Sequence, residues 1–181
     1  MGYIQQGNEA AFLELYDRYN RKLLYFFFRM LSGDHEKAQD FLQDLFMKIV
    51  EKPEQFDQQK KFSTWIYTIA NNQCKNEFRR LEIRRKFNHQ QRNLEHSAVS
   101  DEPMERYLDT KSFRASLESE LRKFKPEQRL VFILRFQEDL PIKEIAEITG
   151  MKEGTVKSKL FYTSRKLEQI LKDLNPVYSE V

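Results

Sequence analysis

Apolar residues recur at three- and four-residue steps through most of this chain, and that period decides what it can fold into. Phe12, Leu15, Tyr16, Tyr19, Leu23, Phe26, Phe27 and Met30 draw one stripe along a helix of about 20 residues. The alternation of every second residue that marks a half-buried strand is absent, so the expected fold is all-α. Ser32-Gly33-Asp34 interrupts the first stripe. Asp34 is a good N-cap for a second helix with Ala38, Phe41, Leu42, Leu45 and Ile49 on its core face, ended by Lys52-Pro53. The other face of that helix carries Lys37, Asp40, Gln43, Asp44 and Lys48. After a polar loop over 54–61, Ser63 or Thr64 is placed to cap a third helix. That helix buries Ile66, Ile69, Ala70 and Cys74 and continues into Phe78 and Leu81.

Between 87 and 110 the period is lost. Asn88 to Asn93 and Ser97 to Pro103 are polar, carry no sustained apolar stripe and include a proline, the composition of an interdomain linker. The reading is therefore two small helical domains, 1–86 and 111–181, joined by a flexible linker over 87–110. A chain of 181 residues has room for that arrangement. In the second domain Phe113, Leu117, Leu121 and Phe124 mark a helix that stops at Lys125-Pro126, and Pro126 suits the first turn of the next, with Leu130, Val131 and Leu134 apolar. Asp139-Leu140-Pro141 opens a short helix with Ile142, Ile145, Ala146 and Ile148 inward. Thr149-Gly150-Met151 turns the chain, and a last helix from about Glu153 buries Val156, Leu160, Leu167, Ile170 and Leu171.

Composition excludes several chemistries. Cys74 is the one cysteine, so no disulfide framework, thiol redox pair or Cys-rich metal site is available, as suits a reducing compartment. His35, His89 and His96 lack paired ligand spacing, and no metal is expected. Without a glycine-rich phosphate cradle or a readable nucleophile–base pair, no cofactor, small-molecule substrate or enzymatic activity is expected either. No apolar run approaches the roughly 20 residues of a membrane span and no secretory leader opens the chain. A cytoplasmic protein with no direct membrane insertion is the expectation.

The net charge of +3 conceals a pattern: −3 over 1–57, +7 over 58–92, −3 over 93–150 and +2 over 151–181. Two separate basic zones point to two contacts with a polyanion, the plain alternative being solvated helix surface. Residues 142–166 make the more specific signal, a short amphipathic helix, a turn at Gly150 and a second helix. Ala146 permits a close crossing, and Gly150 supplies positive φ. The second helix sets Thr155, Ser158, Lys159, Tyr162, Arg165 and Lys166 opposite its apolar stripe, with Lys157 beside them. Small hydroxyl side chains near a helix start, with longer cations behind, suit a major groove whose base edges lie ahead and phosphates alongside.

The larger basic zone combines cations, amides and rings. Asn72, Lys75, Asn76 and Arg79 share one helical face, Arg80 follows, and Gln58, Lys60, Lys61, Phe62, Trp65 and Tyr67 precede them. Single-stranded DNA is held this way, by charge along the backbone, rings for stacking and amides for base edges. Phe62 and Trp65 serve equally as core residues. The acidic face of Asp40, Gln43 and Asp44 cannot serve DNA; its use is a basic protein partner, or plain solvation.

Together these segments resemble the bacterial sigma-70 superfamily, in particular its small two-domain extracytoplasmic-function (ECF) members. Glu36 to Lys48 resembles the family's core-binding segment, Phe62 to Asn72 the segment that melts and reads the minus-ten promoter element. Phe124 to Arg129, Ile145 to Gly150 and Gly154 to Leu160 resemble domain 4, which reads the minus-thirty-five element. The resemblance covers residues 8–81 and 111–172, in the family's order and spacing. No long acidic extension precedes Ala10 and no extra helical domain fits between 82 and 110, which sets the larger members aside.

It implies that Asp40, Gln43, Asp44 and Lys48 bind core RNA polymerase at the beta-prime clamp helices, with a further contact at the beta flap. Gln58, Lys60, Lys61, Phe62, Trp65, Asn72, Lys75, Asn76, Arg79 and Arg80 would hold minus-ten DNA, and Thr155, Lys157, Ser158, Lys159, Tyr162, Arg165 and Lys166 minus-thirty-five DNA. Promoter DNA and an anti-sigma factor are the other implied partners. Tyr162 and Ser164 stand where relatives usually carry basic residues, implying fewer phosphate contacts and a shifted promoter preference; Pro141 replaces a common hydroxyl residue. A helix-turn-helix regulator acting without polymerase, or a sigma-like decoy for an anti-sigma protein, are the alternative functions.

Overall fold

Capping and helix-breaking residues divide the chain into eight α-helices among the residues that the computed structural model describes, 1–89 and 110–172. They are α1 (Gly2–Gln5), α2 (Glu9–Met30), α3 (His35–Glu51), α4 (Phe62–His89), α5 (Thr110–Arg122), α6 (Pro126–Phe136), α7 (Ile142–Thr149) and α8 (Glu153–Leu171), with a 3₁₀ turn at Pro53–Gln55. No strand occurs among the described residues, in keeping with the all-α expectation.

Local chemistry accounts for most of the boundaries. Asn8 accepts the amide of Ala11 and starts α2. The chain then turns through Ser32 and Gly33 at positive φ, and Asp34 accepts the amide of Lys37 to start α3. Pro126 occupies the first turn of α6, where its missing N–H leaves no donor unpaired. Gly150, at φ 73°, closes α7 in the left-handed conformation that a Cβ would penalise. The start of α4 differs from expectation. Ser63 and Thr64 lie inside its first turn, and their hydroxyls donate to the Glu144 carboxylate rather than capping.

Two bodies of helices form. In the first, Leu23, Phe26, Phe27 and Met30 of α2 meet Ala38, Leu42, Leu45 and Ile49 of α3 and Ile66, Ala70 and Cys74 of α4. Full burial of side chains like Phe26 and Phe27 is worth about 1.5–3 kcal/mol each. Burial also pushes the Cys74 thiol up to about 12, so it is an inert, neutral core group at physiological pH. In the second body, Leu130, Val131, Ile133 and Leu134 of α6 meet Ile145 and Ile148 of α7 and Val156 and Leu160 of α8. Leu121, Phe124, Phe132, Leu167 and Leu171 close the far side around α5.

These bodies dock against each other along α4 and α7 and at the end of α2. α4 therefore has neighbours on opposite sides and buries polar residues toward both: Asn71 donates to the carbonyl of Ile148 on α7, while Gln73 donates to that of Phe41 and Glu77 pairs with Lys37, both on α3. Arg129 bolts the second contact. Its guanidinium donates to the carbonyls of Leu121, Arg122 and Phe124 at the end of α5, to those of Arg29 and Met30 at the end of α2, and to the Ser32 hydroxyl. Burial lowers its pKa, and those carbonyls are what hold the cation in place.

Candidate protein and nucleic-acid interfaces

Three exposed surfaces carry the singled-out residues. On α3, Asp40, Gln43, Asp44 and Lys48 all lie open to solvent one helical turn apart. Beside them runs a groove of about 460 Å³ lined by Phe12, Tyr16, Leu42, Phe46, Met47 and Val50, among others. Met47 and Val50 are about half exposed. An acidic ridge beside an exposed apolar furrow is the anatomy of a protein-binding surface, since apolar contact supplies affinity and charge selects the partner. The sequence pattern shows the ridge. The furrow between α2 and α3 becomes visible only when the helices cross.

The second surface lies on α4 and the loop before it. Phe62 and Trp65 are half-buried, and with Phe56 they form a trio of edge-to-face and tilted rings at centroid distances of 5.1–5.7 Å, braced by Tyr19 at 5.1 Å from Phe62. The rings pack on one another, and those of Phe62 and Trp65 remain partly exposed. Gln58 is exposed, its side-chain amide donating to Gln5, which itself donates to the carbonyl of Pro53. The short helix α1 thus braces the loop carrying Gln58 and Lys60, a role no motif announced. Lys60 lies 3.9 Å from Asp57. Asn72, Asn76 and Arg79 are open, while Arg80 pairs at 2.9 Å with the buried Glu77, which also takes Lys37 of α3.

Lys61 and Lys75 of this zone reach α7, and Tyr67 reaches the loop before it. Lys61 pairs with Glu144, which raises its pKa chiefly through their hydrogen bond. Lys75 donates to the carbonyl of Thr149 at 3.3 Å. Tyr67 is buried against Phe26 and donates to Glu138; burial, then the charge of Glu138, raises its pKa far above the ordinary phenol value. Burial likewise raises Glu138 against the opposing hydrogen bond from Tyr67. Tyr67 is a core residue of the docked chain, outside any surface.

On α8, Thr155, Lys157, Ser158, Tyr162, Arg165 and Lys166 are all exposed. Lys159 leans back to Glu127 of α6 at 2.7 Å, and this hydrogen bond holds the Glu127 carboxyl below its usual range. Phe161, 57% exposed and edge-on to Tyr162 at 5.4 Å, doubles the aromatic surface here. The sequence pattern singled out Tyr162 and not Phe161. Where α8 meets the corner between α5 and α6, a cleft of about 570 Å³ is lined by Lys123, Lys125, Gln128, Tyr162, Arg165 and Lys166, and no carboxylate lines it. Lys123 and Lys125 were missed as well. Two lysines beside a proline that opens a helix are the signal that marks them.

Among the described residues no group of three His, Cys, Asp or Glu side chains is placed to hold a metal, and no helix is long and apolar enough to cross a membrane.

Comparison with known proteins matches the chain to one family. The family model for sigma-70 region 2 matches residues 15–83, and that for sigma-70 region 4 matches residues 114–167. The chain is 27% identical over 177 residues to the ECF RNA polymerase sigma factor SigW of Bacillus subtilis, covering 94% of each chain. It is 30% identical over 156 residues to the RNA polymerase sigma factor YlaC of the same organism, covering 86% of this chain and 89% of YlaC. Among solved structures, the sigma factor RpoE from Bartonella quintana, crystallised with the anti-sigma factor NepR, superposes with a TM-score of 0.70 at 25% identity, covering 90% of this chain and 97% of RpoE. CnrH, solved with the cytosolic domain of CnrY, shares the fold at a TM-score of 0.68 and 19% identity, covering 95% of this chain and 94% of CnrH.

Proposed function

Because the chain belongs to the ECF branch of the sigma-70 family and is an RNA polymerase sigma factor, we propose that its three exposed surfaces divide the steps of promoter-specific initiation. Domain 2, residues 1–86, uses Asp40, Gln43, Asp44 and Lys48 to hold core RNA polymerase at the beta-prime clamp helices. The neighbouring apolar groove accepts side chains from that helical partner. Domain 4, residues 111–181, sets α8 in the major groove of the minus-thirty-five element, with Thr155, Lys157, Ser158 and Tyr162 at base edges. Exposed Phe161 suits a thymine methyl. Lys159, Arg165 and Lys166, joined by Lys123 and Lys125 across the basic cleft, take the flanking phosphates.

Gln58, Lys60, Lys61, Phe62, Trp65, Asn72, Lys75, Asn76, Arg79 and Arg80 capture the opened minus-ten strand. Opening involves no bond chemistry: stacking and hydrogen bonds to extruded bases offset the few kcal/mol of unpairing. The chain acts by binding, in the cytoplasm where polymerase and promoter are. The beta flap is the further polymerase contact for domain 4, residues 87–110 link the domains, and an anti-sigma factor is the expected protein regulator.

The observation that supports this reading most is the segregation of charge on exposed faces. Carboxylates border an apolar groove on α3, while cations and rings occupy α4 and α8. A duplex-only regulator would leave the α3 surface without use. Asp44→Arg tests the assignment. Like charge in an interface costs several kcal/mol, so affinity for core polymerase should fall at least about a hundredfold while the circular dichroism of the chain is unchanged. Undiminished core binding would refute the role of this face.

A further inference from the structure

One amide on the proposed minus-ten surface has its orientation set from the start of the chain. Gln5, the last residue of α1, donates through Nε2 to the carbonyls of Pro53 and Phe56 at 2.9 and 3.3 Å. A carbonyl only accepts, so the nitrogen of the Gln5 amide has to face these two groups and its oxygen has to face away from them. That oxygen accepts from Nε2 of Gln58. An amide oxygen cannot donate in its turn, so Gln58 must point its nitrogen at Gln5. Its own Oε1 takes no hydrogen bond among the described residues and is open to an incoming donor.

The surroundings hold both amides in place. Ile4 is buried and Met1 packs against the first core, which seats α1. Gly2 lies against the Gln58 side chain, where a Cβ would stand 3.6 Å from Nε2. On the near side of Gln58, Phe56 is buried among Phe62 and Trp65. On the far side, the amide of Lys60 donates to the carbonyl of Asp57 at 2.9 Å. Gln58 is thus exposed in a turn that is tied at both ends.

Bases differ in what they bring to such an oxygen. Adenine and cytosine carry an exocyclic amino group, a donor, where guanine and thymine carry a keto oxygen, an acceptor. An amino group pairs with the open Oε1 of Gln58, whereas a keto oxygen meets a second acceptor and leaves both unpaired.

We propose that Gln5 is the positioning residue that sets the hydrogen-bond polarity of Gln58, so that this turn takes an extruded base with an exocyclic amino group and rejects guanine and thymine. This rests on the assignment of Gln58 to the minus-ten strand and deepens it by naming the class of base. Gln5 acts through Gln58 and not on DNA.

Gln5→Lys separates this role from plain bracing. An ammonium only donates, so it still ties the carbonyls of Pro53 and Phe56, but Gln58 must then turn its oxygen inward and present its nitrogen to the strand. Gln5→Met reaches as far and imposes neither orientation.

The test uses holoenzyme assembled from the full chain, with a promoter at which it gives a run-off transcript. Fluorescence anisotropy measures its affinity for labelled minus-ten non-template strands that carry each base in turn at each position. The position read by Gln58 is the one where Gln58→Ala levels the preference. There the wild type should hold adenine or cytosine about tenfold more tightly than guanine or thymine, the discrimination of one good base contact. Gln5→Met should level that preference and Gln5→Lys should reverse it. Gln6→Lys, which adds the same charge at the exposed neighbouring residue, should keep the wild-type order.

The wild-type order in Gln5→Lys would overturn the proposal, as would a Gln58-dependent preference for keto bases or no position at which Gln58→Ala alters preference. An intact run-off transcript in those cases leaves the sigma-factor reading standing. A wild-type chain that gives no transcript strikes that reading and the proposal with it.

Discussion

Single side chains carry unusual weight at the seam of this molecule. Arg129 satisfies the last carbonyls of α5 and of α2 with one guanidinium, having backbone carbonyls and one hydroxyl as partners and no carboxylate. A buried acceptor left unpaired costs about 1–3 kcal/mol, and Arg129→Met orphans several at once. Urea unfolding of Arg129→Met should show a loss on the order of 3 kcal/mol or more; a loss below about 1 kcal/mol would mean that water replaces the guanidinium without penalty. Gly33 has a related duty. Its φ of 94° strains any side chain at the turn between α2 and α3, and a Cβ there would meet the Arg122 guanidinium at 2.5 Å and displace it. The sequence marks Gly33 as a break between helices. That Arg122 fills the space above it depends on docking, which no local pattern encodes.

At the scale of elements, the chain was most legible where chemistry is local. Asp34 as a cap, Pro126 in a first turn and Gly150 at positive φ stand as their spacing foretold. α4 was the hardest to read. It buries Asn71 toward α7 and, on the side that also carries Ile66 and Cys74 into the first core, Gln73 and Glu77 toward α3. An amphipathic stripe assumes a single core, and a helix between two bodies breaks that assumption. The basic corner between α5 and α6 was missed for a similar reason: Lys123 and Lys125 belong to a different helix boundary from Arg165 and Lys166, and only the packing of α8 joins them around one cleft. This has a measurable consequence. Each phosphate contact contributes about 0.9 to the salt slope of duplex binding. Replacing Lys123 and Lys125 by glutamine should lower that slope by roughly 2 without changing base preference. A slope equal to that of wild type would remove the corner from the DNA interface.

Over the whole molecule, the net charge of +3 resolves into surfaces of opposite sign, an acidic ridge on α3 and basic faces on α4 and α8, which are the proposed protein and DNA contacts. The two-domain character of the chain was legible from the loss of period after Phe87; residues 90–109 and 173–181 of that reading lie outside the described residues. The docking of the two halves was illegible, since Lys61 and Glu144 are 83 positions apart and each alone reads as ordinary surface. The central claim is that this chain confers promoter-specific initiation on core RNA polymerase. Run-off transcription with purified core enzyme on genomic templates tests it most directly. The account predicts discrete transcripts that require the chain, start at defined promoters and vanish with Asp44→Arg. Core polymerase that yields the same products with and without the chain would contradict it.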